Sequence, residues 1–135
     1  MKGPLGDALG VAIAAAKEAG DRIRQEFQRA GGPRGIHGHA PVDEAAETVI
    51  RERLLRAFPG IGFRGEETGS LPAAEGEQGV WLVDPNDGTV AFLRGHRGSA
   101  VSIALVRDGL PVLGVVHAPT ARSEEHTSEL QSRIT

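Results

Sequence analysis

The 135-residue sequence contains no cysteine, which excludes disulfides, thiolate chemistry and a cysteine-ligated zinc site. It also has no excess of positive charge: the formal net charge is -3, and its basic residues are scattered. No apolar run is long enough to cross a bilayer, and the pattern around the early stretch LGVAIAAA favours a helix over a signal peptide. We therefore expect a cytoplasmic protein that binds neither nucleic acid nor membrane.

Two amphipathic helices are predicted in the first half of the chain. Apolar residues recur every three or four positions from about 5 to 29, and the Gly- and Pro-rich stretch AGGPRGIHGHAP then ends this first helix. A second helix is predicted from about Asp43, a plausible cap or first-turn acid, to Pro59-Gly60.

Short apolar strands are predicted after the two helices. IGF and GVWLVD are each predicted to form a strand, and the unbroken apolar run in GVWLVD indicates burial on both faces. The segment SAVSIALVRDGLPVLGVVHAP reads as two strands joined by an Asp-Gly turn. The order predicts an α+β fold in which two helices pack on a mostly antiparallel sheet.

The stretch WLVDPNDGT, residues 81–89, carries the strongest chemical signal. A strand that ends on Asp84 delivers a carboxylate to the edge of the sheet, and Gly88 permits a close approach there. A short helix is predicted to begin at Thr89, and its first N–H groups would suit a phosphate. Two carboxylates beside a phosphate need cations between them, and oxygen ligands next to a phosphate suit Mg²⁺. The pattern favours metal-assisted phosphate hydrolysis.

Three alternatives compete for the same residues. Asp-Pro-Asn-Asp-Gly is also a suitable composition for an ordinary surface turn. A calcium loop requires ligands at alternate positions and a distant closing Glu, a spacing that is absent. A dehalogenase-type phosphatase requires two aspartates two positions apart, whereas Asp84 and Asp87 are three apart.

Together with GEE at residues 65–67, the stretch DPNDGTVAF resembles the inositol monophosphatase family. The likeness extends from Leu5 to about Thr120, and Asp43 matches the acid that opens the family's second helix. The resemblance implies the N-terminal half of an αβαβα sugar-phosphatase sandwich and a Mg²⁺-dependent phosphomonoesterase. It implies a small phosphorylated substrate and a possible homodimer of the full-length protein.

The resemblance also implies a role for each matching residue. Glu66 and Asp84 would hold one Mg²⁺ with the main-chain carbonyl of Asn86, and Asp84 would bridge to a second Mg²⁺ held by Asp87. Gly88 and Thr89 would contact the phosphate through their N–H groups. Thr89, Glu66 and Asp43 would orient the attacking water. Asp43 could instead be only a helix N-cap.

The resemblance implies a division of the chain near Ala121. Residues 1–121 would form an incomplete family domain, because family members are about twice as long and supply a further metal-binding Asp downstream. Arg122 to Ser132 can be encoded in frame by a widely used sequencing-library adapter, so residues 122–135 are predicted to be non-native; a short disordered terminus is the alternative. We expect an open sheet edge after VLGVVHA and little or no activity from this chain.

The family resemblance does not specify the substrate or the role of this chain. The family relationship implies an inositol phosphate or another sugar or polyol phosphate as substrate. A 3′(2′),5′-bisphosphate nucleotidase and a histidinol phosphatase of the same family are alternatives. A non-catalytic fragment that binds only metal or a partner chain is a further one.

Overall fold

A computed structural model describes residues 4–77, 79–121 and 129–134 of the chain. In this part of the molecule, two helices come first, three strands follow, and a short third helix precedes the last three strands. All six strands belong to one sheet. The helices are α1 (Pro4–Phe27), α2 (Pro41–Ala57) and α3 (Thr89–Leu93). The strands are β1 (Gly62–Gly65), β2 (Gly69–Leu71), β3 (Val80–Asp87), β4 (Ala100–Arg107), β5 (Leu110–Ala118) and β6 (Glu129–Ile134).

Helix α1 packs against α2 and against strands β4 to β6 through a face of small residues. Five alanines on this face are at most 2% exposed: Ala8, Ala12, Ala15, Ala16 and Ala19. Small side chains let the helix lie close to its neighbours, and Ile23 fills the space farther along. The predicted helix over residues 5–29 is confirmed, with its end two residues earlier at Phe27.

Helix α2 begins at Pro41, two residues before the predicted start. Proline suits the first turn of a helix because its missing N–H has no partner there and its φ angle is already helical. The helix ends at Ala57, before Pro59. Ala46, Ile50 and Leu54 are fully buried and face the sheet, as the apolar spacing predicts.

The sheet has the strand order β2-β1-β3-β4-β5-β6. Strands β1 and β3 are parallel and the other neighbouring pairs are antiparallel, which confirms a mostly antiparallel sheet and an α+β fold. The predicted turn between β4 and β5 is confirmed at Asp108 and Gly109, with φ values of 51° and 75°. Positive φ at both positions is typical of a two-residue hairpin turn, whose twist matches that of the strands.

Strand β3 is buried on one face only, so the prediction of burial on both faces is wrong. Trp81 and Val83 are buried, whereas Leu82 is 38% exposed. Since α1 and α2 pack on the same side of the sheet, the described part of the chain leaves the alternate positions of β3 uncovered. Trp81 belongs to the hydrophobic core.

The edge of β5 is paired, contrary to the prediction of an open edge. Strand β6 forms an antiparallel ladder with β5, from Leu113 opposite Ile134 to Ala118 opposite Glu129. Leu130 also packs against the core. Unpaired N–H and C=O groups on an edge strand accept a further strand, and residues 129–134 form that strand here, while the division of the chain at residue 121 stays a prediction. Residues 122–128 of the predicted tail lie outside the described residues.

Candidate active site

The parallel pairing of β1 and β3 brings the two acidic segments to one edge of the sheet. Gly65 pairs with Val83, so the next residues of the two strands, Glu66 and Asp84, leave the ladder side by side. The pairing of β3 with β4 shifts register between Asp84 and Asp87. This irregularity turns the chain away from the sheet, and α3 begins directly after it at Thr89.

Asp43 is the buried centre of a hydrogen-bond network that joins α2 to this turn. Its side chain is 4% exposed. The side-chain amide of Asn86 donates to Asp43 Oδ1 at 2.9 Å, and the Thr89 hydroxyl lies 2.8 Å from Asp43 Oδ2. The interpretation of Asp43 as only an N-cap is therefore wrong: Ala40 occupies the cap position, without a side-chain capping bond.

The single hydroxyl proton of Thr89 has two possible acceptors. Thr89 Oγ1 also lies 2.8 Å from the main-chain oxygen of Asn86. When Asp43 is ionised, it can accept a hydrogen bond from the Thr89 hydroxyl. When Asp43 is protonated, it can donate a hydrogen bond to Thr89, and the Thr89 hydroxyl then donates to the main-chain oxygen of Asn86. Burial raises the pKa of Asp43, while the bonds from Asn86 and Thr89 oppose that rise.

Asp84 lies among other acids and is partly withdrawn from water. Burial is the main reason that the pKa of Asp84 rises to about 6, and the negative charges of Glu66, Asp87 and Asp43 raise it further. The main-chain N–H of Asn86 donates to Asp84 Oδ1 at 3.1 Å and partly offsets this rise. A cation bound here would relieve the repulsion between these carboxylates.

Glu66 and Asp87 are exposed, while the neighbouring Glu67 is only 17% exposed. Glu67 Oε1 lies 3.9 Å from Nδ1 of His39, and burial raises the pKa of Glu67. Within residues 4–77, 79–121 and 129–134, no three His, Cys, Asp or Glu side chains form a preassembled metal cage. The oxygen donors nevertheless suit a hard cation.

Gly88 connects the acidic turn to α3. Its φ of 99° lies in the region that favours glycine, a backbone conformation that a residue with a side chain rarely adopts. The N–H groups that open a helix have no partner within it, so those of Gly88 and Thr89 are suitable donors for an anion. Asn86 precedes this segment and is only 3% exposed. Its main-chain carbonyl lies within hydrogen-bond distance of the Thr89 hydroxyl.

Sequence reasoning missed Glu47, Arg51 and Thr68, which support the GEE segment. Glu47 is fully buried and accepts hydrogen bonds from the N–H groups of Glu67 and Thr68. Arg51 donates to the carbonyl and hydroxyl oxygens of Thr68. The four-residue spacing of Asp43, Glu47 and Arg51 indicates that they share one side of α2, but it does not indicate what that side contacts.

Comparison with known proteins places this arrangement in a family. The profile of the Inositol monophosphatase family matches residues 7–132, so the chain belongs to that family. An inositol-1-monophosphatase of Mesorhizobium japonicum is 42% identical over 128 residues, which cover 90% of this chain and 47% of that protein. A histidinol-phosphatase of Mycobacterium tuberculosis is 48% identical over 77 residues, which cover 57% and 29%.

Solved structures show the same fold. The extragenic suppressor protein suhB from Bartonella henselae superposes with a TM-score of 0.80 at 32% identity, over 95% of this chain and 48% of that one. The chain spans about half the length of the relatives it matches. In the part of the chain that the structure describes, no helix is both long and apolar enough to cross a membrane.

Proposed function

We propose that the full-length protein hydrolyses small phosphomonoesters with the help of Mg²⁺. The observation that carries the proposal is that Asp84 feels the negative charges of Glu66 and Asp87 and is joined through Asn86 to the buried Asp43. Membership of the inositol monophosphatase family supports the reaction class. The proposed substrate class is an inositol phosphate or a related sugar or polyol phosphate.

Four residues would hold the metal ions. Glu66, Asp84 and Asp87 would contribute carboxylate oxygens, and Asn86 would contribute its main-chain carbonyl. The bound cations would neutralise the phosphate, lower the pKa of a water molecule and stabilise the leaving oxygen. The oxygen-rich donor set and the raised pKa of Asp84 support this assignment.

Thr89 and Asp43 would orient the attacking water. An ionised Asp43 accepts a hydrogen bond from the Thr89 hydroxyl, as their 2.8 Å separation allows, which leaves the hydroxyl oxygen to accept a hydrogen bond from the water. Glu66 would help to hold the same water. As the water oxygen bonds to phosphorus, the bond from phosphorus to the alcohol oxygen breaks, and one of the water's two protons ends on the departing alcohol oxygen. The N–H groups of Gly88 and Thr89 would contact the phosphate oxygens.

Substrate choice within the family is a separate question. The similarity to a histidinol-phosphatase keeps histidinol phosphate among the candidates, and a 3′(2′),5′-bisphosphate nucleotide is another. A chain that binds metal or a partner without catalysis is the second candidate function, because this chain spans only about half the length of its relatives. Homodimer formation and a cytoplasmic location stay predictions.

Cation binding by the 135-residue chain is the first test. Calorimetric titration with Mg²⁺ and Mn²⁺ should show binding that the Asp84→Asn variant weakens at least about tenfold, a loss of about 1.4 kcal/mol. Asp108→Asn is the matched control, because Asp108 lies in the β4–β5 turn, away from Asp84. Equal cation binding by the Asp84→Asn variant would contradict the proposed metal site.

Catalysis is tested on an extended chain. The source DNA is sequenced beyond the Thr120 codon, and the longer product is assayed for phosphate release from inositol, histidinol and nucleotide phosphates. Release that requires Mg²⁺ and disappears in the Asp84→Asn variant is expected. Cation binding without release from any of these esters would favour the non-catalytic alternative.

A further inference from the structure

Helix α2 presents three polar residues at four-residue intervals toward the acidic edge of the sheet. Asp43, Glu47 and Arg51 lie on one side of the helix because 3.6 residues complete each turn. Asp43 bonds to Asn86 at the irregular end of β3, whereas Glu47 and Arg51 bond to the segment after β1. One helix side therefore contacts both acidic segments of the site.

Glu47 makes the densest set of these bonds. Its side chain is 0% exposed. The Glu67 N–H lies 3.1 Å from both carboxylate oxygens, and the Thr68 N–H and hydroxyl each lie 2.5 Å from Glu47 Oε2. A buried carboxylate requires several donors, and this one receives them from the two residues that follow Glu66.

The backbone at Gly65 is shaped around the same carboxylate. A Cβ added at Gly65 would overlap the side chain of Glu47, so the strand can approach this carboxylate only without a side chain. Gly65 directly precedes Glu66. The segment that carries Glu66 is thus held on both sides, at Gly65 by close packing and at Glu67 and Thr68 by hydrogen bonds.

Arg51 supports the segment from the next turn of the helix. Its Nη1 donates to the Thr68 carbonyl at 3.0 Å and to the Thr68 hydroxyl at 3.1 Å. Its guanidinium also lies over the ring of Phe63, 5.1 Å from the ring centre. Because the hydroxyl accepts from Arg51 while it donates to Glu47, the three side chains form one continuous relay.

We propose that Glu47 is a positioning residue for the site: it fixes the segment 66–68 to α2 and thereby places Glu66 beside Asp84. The part that concerns cation binding rests on the proposed function. A carboxylate is required at position 47 because Gln would direct an NH₂ group toward donors that need an acceptor. Because the segment is already fixed, Glu66 loses less conformational entropy when it binds a cation.

The test combines two readouts on the 135-residue chain. Amide hydrogen exchange, measured by NMR, reports whether the N–H groups of Glu67 and Thr68 are held. Calorimetry with Mn²⁺ alone reports cation affinity. In Glu47→Gln we expect the exchange of both amides to accelerate at least about tenfold and Mn²⁺ affinity to fall at least about fivefold.

Two further variants make the result specific. Glu52→Gln removes an exposed carboxylate from the same helix and should change neither readout. Thr68→Val keeps every charge, removes only the hydroxyl of the relay, and should move both readouts in the same direction by a smaller factor. If circular dichroism shows that Glu47→Gln does not fold, the Thr68→Val variant tests the proposal instead.

The outcomes separate the two proposals. Unaltered amide exchange, or unaltered Mn²⁺ affinity, in a folded Glu47→Gln chain would overturn the positioning role while leaving the metal site intact. If the unaltered chain does not bind Mn²⁺, its proposed metal site fails. Glu47 is then judged by amide exchange alone, and unchanged protection of Thr68 overturns its role.

Discussion

The side chains of Asp43 and Asn86, 43 residues apart in the sequence, are joined by a hydrogen bond of 2.9 Å. The bond links the first turn of α2 to the irregular end of β3. Both residues are at least 96% buried, so water cannot replace either partner. This contact, together with that of Thr89, fixes the acidic turn relative to the helix.

Asn86→Ala should destabilise the protein. The change removes one of the hydrogen-bond donors of the buried Asp43 and should lower the free energy of unfolding by about 1–3 kcal/mol. Urea denaturation at pH 7 measures this loss. Glu52→Gln, an exposed change on α2, should leave the unfolding midpoint unaltered. An equally small effect of Asn86→Ala would mean that the contact contributes nothing to stability.

Asp84 should make the metal-free protein less stable as the pH rises. Burial raises its folded-state pKa to about 6, above an unfolded value of about 3.9, so the folded protein binds this proton more tightly. Its contribution is complete below about pH 4 and is lost as the pH rises through about 6.

Asp84→Asn tests this dependence. In EDTA the variant should be more stable than the unaltered chain at pH 7, by about 1–2 kcal/mol after allowance for the partial exposure of Asp84. Urea denaturation at several pH values from 4 to 7 measures the difference, which should vanish near the acid end. A difference that stays constant over this range would argue against a raised pKa.

Glu26 should lose its stabilising contribution in acid. Hydrogen bonds from the Arg34 guanidinium, at 2.6 and 2.9 Å, are the main reason that the pKa of Glu26 falls to about 2. Stability that this ion pair provides is complete above an ordinary pKa of about 4.5 and is lost as the pH falls toward 2.

Arg34→Gln should flatten that acid limb of the stability curve. Denaturation midpoints between pH 5 and 2 should fall less steeply in the variant than in the unaltered chain. Arg53→Gln is the matched control, because its ion pair with Glu18 is exposed on both sides and is expected to contribute little. Parallel curves for Arg34→Gln and the unaltered chain would contradict the prediction.

Two glycines of α1 should respond in opposite directions to alanine. A Cβ at Gly10 meets no atom within 4 Å, so Gly10→Ala should stabilise the protein by about 0.5–1 kcal/mol through helix propensity. A Cβ at Gly20 would lie 2.5 Å from the His117 ring, so Gly20→Ala should destabilise it by about 1–3 kcal/mol. Thermal unfolding measures both. A Gly20→Ala variant as stable as the unaltered chain would show that α1 and β5 can move apart at little cost, and a destabilising Gly10→Ala would contradict the prediction for that position.

Local features were predictable where neighbouring residues decide the structure. The Asp108-Gly109 turn was predictable because both positions favour positive φ, and the first helix because its apolar residues follow the helical period. The start of α2 was placed two residues late because Pro41 was counted as part of the loop instead of the first turn. Strand β2 was missed because Gly69 to Leu71 has no apolar alternation and is stabilised by its pairing with β1.

The candidate site was only partly predictable, because some of its residues are neighbours in the chain and others are brought together only by the fold. Asp84, Asp87 and Thr89 lie in one short segment, so their chemistry can be inferred from spacing. The family resemblance adds Glu66 and Asp43, and their metal and catalytic roles stay predictions. The support from Glu47 depends on where α2 lies against the end of β1, which no local pattern specifies.

Residue types and their spacing are enough to predict an oxygen-rich turn after a strand, a second acidic segment upstream, and helices able to cover a sheet. The folded chain alone reveals that β1 and β3 run parallel, that α2 bonds to both acidic segments, and that β6 pairs with β5. Such contacts join residues far apart in the chain, and their stability comes from burying and pairing groups that only the folded protein brings together.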